Sequence, residues 1–142
     1  MNDITGVRRA VDRLLEGDLE PLLQLLAEDV EFEVVGGGDE PERSKEWGKQ
    51  AVADYFTALG GLVAFWQIDY TARGEQVIAW GKESFTIEHC ELEGGCEFAL
   101  VLDFPEDTIT RFQVIEDLGR FMRSGGSLVE AAASLAEAGA GP

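Results

Sequence analysis

Four side chains in the second half of the chain are of the types that proton or anion chemistry requires: Glu83, His89, Arg111 and Asp117. The guanidinium of Arg111 is a planar fork of donors suited to an anionic or carbonyl oxygen. A carboxylate beside it, Glu83 or Asp117, is pushed up in pKa by burial and pulled down by the arginine's charge, a balance suited to a general acid or base. His89 is the single histidine and switches its charge near neutrality. Each residue also has a structural reading. Glu83 and Arg111 suit an ion pair that fixes strand register, or a surface pair. Asp117 suits a cap on the turn that follows it. His89, between Glu88 and Cys90, suits a solvated strand end. Both kinds of reading stay open at this level.

The elements that must position these residues follow from hydrophobic spacing. Ile4, Val7, Val11, Leu14 and Leu15 recur with helical period over residues 3–16, with Asp3 as a candidate cap and Gly17 as the stop. Asp18 is placed to cap a second, short helix with Pro21 in its first turn. Val30–Val34 alternates with period two and reads as a half-buried strand. Gly36–Glu46 is polar and without periodicity, which predicts a surface loop. A third helix begins near Lys49, with Val52, Tyr55, Phe56 and Leu59 on one side and Gly60-Gly61 after it. Strands then dominate. Val63–Thr71 and Gln76–His89 turn at Arg73-Gly74-Glu75, and Glu97–Asp117 reads as two antiparallel strands joined at Pro105-Glu106-Asp107. Gly125-Gly126 separates this part, residues 1–124, from residues 125–142, where Leu128–Ala138 is alanine-rich and reads as a weak helix or a loose tail. Helices first and a run of antiparallel strands afterwards predict a single α+β domain.

Composition limits the function classes. The 142 residues hold 28 acidic and 11 basic side chains, a formal charge of −17. That surface repels phosphates and anionic lipid, so neither nucleic acid nor membrane is expected as a partner. The charged N-terminus does not read as a signal peptide, no apolar run is long enough to span a bilayer, and the expected location is cytoplasmic. Cys90 and Cys96 flank the turn 91–95 and could face each other across a hairpin; as cytoplasmic thiols they are expected to be reduced. With one histidine and no zinc spacing, no metal site is expected. Gly36-Gly37-Gly38 lacks the lysine and hydroxyl residue of a phosphate loop.

Four stretches carry a family resemblance: Gly17-Asp18-Leu19, Leu26-Ala27-Glu28-Asp29-Val30, Trp47–Val52 leading to Tyr55-Phe56, and Phe104–Asp117. In this order and spacing the chain resembles the nuclear transport factor 2-like superfamily, and within it the SnoaL-like, ketosteroid-isomerase-like and polyketide-cyclase-like group. The resemblance covers about residues 4–122. It implies a cone-shaped curved antiparallel sheet with three N-terminal helices on its concave face, enclosing an apolar pocket for a small molecule, commonly in a homodimer and without a cofactor.

The resemblance does not carry one chemistry over. Steroid isomerisation needs a carboxylate base and an oxyanion hole of one tyrosine and one protonated aspartic acid. The matching positions here are Val34, Ala10 and Leu100, all apolar. The epoxide hydrolases of the group need an arginine and an aspartate two apart on one strand, and Glu97–Phe104 has no arginine. Asp117 resembles the acid that the cyclases place at the end of the last strand, without their histidine. If Val34 and Leu100 point into the cone, Phe32, Phe98, Leu102 and Phe104 join them, and the same matching turns Arg111, Gln113, Ile115 and Asp117 inward, with Glu83, Phe85 and His89 from the neighbouring strand. The expected pocket is then lined by Phe32, Val34, Tyr55, Trp66, Phe85, Phe98, Leu100 and Gln113, around a catalytic set of Asp117, Glu83, Arg111 and His89. Trp66, Trp80 and Tyr70 would line it or serve a dimer interface, with Trp80 assigned to the interface. The function expected is cofactor-independent acid–base chemistry (isomerisation, cyclisation or dehydration) on an apolar or polycyclic metabolite. The rival is a ligand carrier or dimeric interaction module without catalysis.

Overall fold

A computed structural model describes residues 4–36, 42–59, 63–85 and 95–116, with the side chains at 42, 63–67, 83–85 and 95–96 outside the description. The elements are α1 (Thr5–Leu15), α2 (Glu20–Leu25), β1 (Leu26–Gly36), β2 (Glu42–Trp47), α3 (Lys49–Leu59), β3 (Val63–Arg73), β4 (Gln76–Phe85), β5 (Gly95–Asp103) and β6 (Ile109–Ile115). The six strands form one curved, open sheet in the order β2-β1-β6-β5-β4-β3. The domain is α+β with its helices on one face, as expected. Residues 125–142 lie outside the described residues.

Helix α1 ends where glycine permits it to. Gly17 has φ +101°, and Gly17 N–H donates to Leu14 C=O while Asp18 N–H donates to Arg13 C=O. This pair of bonds satisfies carbonyls that the helix leaves open and turns the chain toward α2. Asp18 Oδ1 accepts from Glu20 N–H at 3.3 Å, but Leu19, not Asp18, stands at the N-cap of α2 and no side chain caps it. Ile4, not Asp3, stands at the N-cap of α1 and makes no side-chain cap.

Two expectations change. The sheet is mixed: β1 runs parallel to β6 and antiparallel to β2. Residues 42–47 form an edge strand where Gly36–Glu46 is expected as loop, with Lys45 opposite Glu33 and Arg43 opposite Val35. The segment ERSKEW carries the charges that keep a sheet edge from further pairing, so its composition resembles a loop's.

The core lies between the helices and the inner face of the sheet. Val7, Val11 and Leu14 of α1 and Val52 and Phe56 of α3 join Phe32, Phe98, Leu100, Leu102, Phe112 and Val114 in one cluster. Phe32 and Phe112 have ring centres 5.8 Å apart, as have Phe56 and Phe112. Each such buried ring contributes on the order of 1.5–3 kcal/mol.

The β5–β6 turn decides which face each residue of β6 occupies. Glu106 and Asp107 are both left-handed, at φ 50° and 66°. The resulting register pairs Leu102 with Phe112 and Leu100 with Val114. Phe112 and Val114 of β6 therefore face the core. Arg111, Gln113 and Ile115, expected inward, belong to the outer face. A register read one residue out exchanges the faces of a strand.

Candidate functional site

At the inner-face end of α3, a cleft of about 270 Å³ opens between α3, β1 and β2. Phe32 and Val34 form its floor, Ala51, Asp54 and Tyr55 one wall, and Ser44 and Glu46 the other. The helical period places Ala51, Asp54 and Tyr55 on one side of α3. The pairings Phe32–Glu46 and Val34–Ser44 bring the β2 residues to the same face. Tyr55 stands edge-on to Phe32, with ring centres 5.4 Å apart. Its hydroxyl donates a short hydrogen bond to the Glu116 carboxylate just beyond β6. Glu116 is held there by its backbone N–H, which donates to Val35 C=O at 2.9 Å. Asp54 accepts from Gln50 Nε2 at 2.8 Å. The cleft thus joins an apolar floor to a phenol–carboxylate pair at its side.

A second polar pair ties α1 to β3. The Tyr70 hydroxyl donates to Asp12, and the Arg8 guanidinium lies 4.9 Å from the Tyr70 ring centre. Burial, and then the bond to Asp12 and its charge, hold the phenol well above the ordinary tyrosine value, with Arg8 opposing. Tyr70 is therefore a protonated donor, which suits a structural tie between α1 and the sheet.

The outer face carries a third set. Arg111 Nε stands 2.6 Å from Glu31 Oε2, an ion pair whose N–H does not point at the oxygen. Glu33, only 2 % exposed, accepts from Arg43 at 2.6 Å and from Gln113 Nε2 at 2.9 Å, with Lys45 at 3.9 Å. Arg111 and Gln113 are therefore bound into a charge network across β2, β1 and β6, on the side of the sheet opposite the cleft.

Of the residues expected to form a pocket, Phe32, Val34 and Tyr55 come together in the cleft. Phe98 and Leu100 face the same side but are packed in the core. Gln113 is on the outer face and does not line the cleft. Trp66, Glu83 and Phe85 lie in β3 and β4, and their side chains are outside the description; His89 and Asp117 lie outside the described residues. Arg111 shares a cross-strand row with Asp103 and Gln76, whereas the backbone of Glu83 pairs with that of Cys96, about 23 Å further along β4.

Glu116, Ser44 and Glu46 were missed by the sequence reading. Glu116 follows Phe112 and Val114 on the inward alternation, a signal available once the turn register is known. Ser44 and Glu46 were hidden by reading their strand as loop. Among the described residues, no three of His, Cys, Asp and Glu are grouped to hold a metal ion. No described helix is long and apolar enough to cross a membrane.

The fold recurs in solved proteins. A protein of unknown function with a cystatin-like fold from Xanthomonas campestris superposes with a TM-score of 0.66 at 17 % identity, over 82 % of this chain and 91 % of that one. A candidate polyketide cyclase from Xanthomonas campestris pv. campestris gives 0.61 at 21 % identity, over 80 % and 89 %. An LEH-like epoxide hydrolase from M. tuberculosis gives 0.60 at 21 % identity, over 94 % of each chain. At these identities the likeness concerns the fold alone. No curated protein matches the sequence. The profile of the SnoaL-like domain matches residues 7–123. With helices on one face of an open, curved six-stranded sheet and a cleft beside the third helix, the chain belongs to the SnoaL-like family of the nuclear transport factor 2-like superfamily.

Proposed function

We propose that this protein binds a small apolar ring compound bearing a carbonyl or hydroxyl group, and acts on it by cofactor-independent proton transfer. The observation that carries the reading is the contact of the cleft-lining Tyr55 with Glu116 beside the apolar floor of Phe32 and Val34. A ring rests on that floor, and its oxygen takes over the Tyr55 hydroxyl as donor. Glu116 then accepts a proton from an adjacent carbon and returns it elsewhere on the ligand, the balance required for isomerisation or cyclisation. The cleft is slightly below the roughly 300–1,000 Å³ usual for small-molecule sites, so one or two rings fit and a larger polycycle protrudes.

A specific observation favours the rival reading, a ligand carrier. The positions matched to the isomerase base and oxyanion hole are the apolar Val34, Ala10 and Leu100, with Ala10 and Leu100 fully in the core. The two readings separate in one experiment. A panel of cyclic ketones, enones and phenols is screened by thermal shift, and binders are then incubated in deuterium oxide with wild type and Glu116→Gln. Catalysis predicts deuterium incorporation that the variant loses while binding persists. Binding without incorporation in either protein leaves the carrier. Absence of any binder, or binding unaffected by Ala51→Phe in the cleft, overturns both.

A further inference from the structure

The cleft beside α3 carries a carboxylate on each wall and, among the described residues, no basic side chain. Asp54 belongs to the α3 wall, and Glu46 and Ser44 to the β2 wall; all three are exposed and form a rim above the apolar floor. A third carboxylate, Glu116, stands at the side and is bonded to Tyr55. None of these acids has a cation beside it among the described residues. Asp54 accepts from the neutral amide of Gln50 at 2.8 Å, and Glu46 and Ser44 have no side-chain partner among the described residues. The lysines nearest in the chain are engaged with other acids. Lys45 lies 3.5 Å from Glu31 and 3.9 Å from Glu33 on the outer face, and Lys49 lies 3.3 Å from Glu28.

We propose that the cleft selects a cation: an apolar ring whose oxygen meets Tyr55 and whose protonated amine is held between Asp54 and Glu46. The inference rests on the cleft's being a small-molecule site, as proposed above, and adds the charge of what enters it. An ammonium brings three N–H donors and no acceptor, and the two carboxylates with the Ser44 hydroxyl offer three acceptors to match. Phe32 and Tyr55, with ring centres 5.4 Å apart, present an aromatic surface that attracts a cation as well as apolar carbon. No bond to the nitrogen changes. The amine fixes the ring in place while proton transfer, through Glu116, concerns the ring carbons and oxygen.

Charge sets this preference beyond shape. A cleft lined by one sign of charge over an apolar floor focuses its field and concentrates ions of the opposite sign. A carboxylic acid on the same ring meets Asp54, Glu46 and Glu116 with no described cation to receive it. A neutral ring gains nothing from the rim. The formal charge of −17 on the whole chain also attracts cations, but across solvent that pull is screened within about 10 Å at 0.1 M salt. The contribution of Asp54 and Glu46 is local. Removing the same charge elsewhere therefore separates the two effects.

The test compares three phenols of similar shape and different charge: tyramine, a cation, tyrosol, neutral, and 4-hydroxyphenylacetate, an anion. Their dissociation constants are measured by NMR titration of the full-length protein at neutral pH and low salt. Tyramine should bind roughly ten-fold tighter than tyrosol, and the acid should bind weakest. In the double variant Asp54→Asn with Glu46→Gln, the advantage of tyramine should fall to about two-fold or less while tyrosol binds as before. In Glu75→Gln with Glu106→Gln, which removes as much charge from exposed turns at the far end of the sheet, the advantage should persist. All four positions are exposed, so both variants should fold. Tyrosol binding as tightly as tyramine, or an advantage that survives the loss of Asp54 and Glu46, overturns the selection for cations. If Ala51→Phe abolishes that binding, the cleft itself stands as a site. Should none of the three bind, a neutral ligand found among the ketones and enones refutes the cationic selection alone. Absence of any binder removes the cleft as a site and this inference with it.

Discussion

The Tyr55 hydroxyl, on α3, donates to the Glu116 carboxylate at the end of β6, across 61 residues of sequence. The bond ties the third helix, which supplies one wall of the cleft, to the end of the last strand. Tyr55→Phe removes the donor and leaves the ring packed on Phe32. A loss of about 1 kcal/mol in urea unfolding is expected, with a roughly five-fold weaker affinity for any cleft ligand that takes the hydroxyl. Unchanged affinity would remove Tyr55 from ligand recognition.

Glu33 is the most consequential charge on the outer face. Glu33→Ala leaves Arg43 and Gln113 without their shared buried acceptor, and a loss of about 3–5 kcal/mol is expected. Glu28 pairs with Lys49 at 3.3 Å but its side chain is 92 % exposed, so Glu28→Ala should change stability by less than about 1 kcal/mol. Equal effects of the two substitutions, measured by chemical denaturation, would contradict the burial assigned to Glu33.

Tyr70 sets a dependence on alkaline pH. Its pKa in the folded chain is raised, by burial first and by Asp12 second, above the value of about 10 in the unfolded chain. Above about pH 10 the unfolded chain releases this proton while the folded chain retains it. The native state then binds more protons, so stability falls as pH rises. Below that pH the contribution is fully present. Tyr70→Phe should therefore lose less stability than wild type between about pH 9 and about pH 11, read as urea midpoints. Parallel curves for the two proteins would refute the shift.

The β5–β6 turn stores a removable cost. Glu106 sits at φ 50°, ψ 41°, a region costly for a residue with a Cβ. Glu106→Gly should stabilise the protein by about 0.5–1 kcal/mol. Thr108, two positions on, is extended at φ −131°, and Thr108→Gly should destabilise it by about 0.5–1 kcal/mol. A thermal melt of each variant checks the opposite signs.

Local patterning carried much of the architecture. The helical stripe of Val7, Val11 and Leu14, the glycine stop at Gly17 and the alternation around Phe32 each depend on neighbours within a few residues, and all are visible in the chain. Phe32, Val34 and Tyr55 could be placed together for the same reason, because they lie on the inward sides of their own elements. The side chains of β6 could not. Arg111 and Glu116 exchange inner and outer positions with a one-residue change in hairpin register, and two left-handed residues at 106 and 107 set that register. Strand β2 was equally hidden, since a charged edge strand differs from a loop only in having β1 beside it. Periodicity reports which way a residue points within its own element. Which carboxylate reaches a tyrosine 61 positions away depends on pairing between elements, and only the folded sheet specifies that.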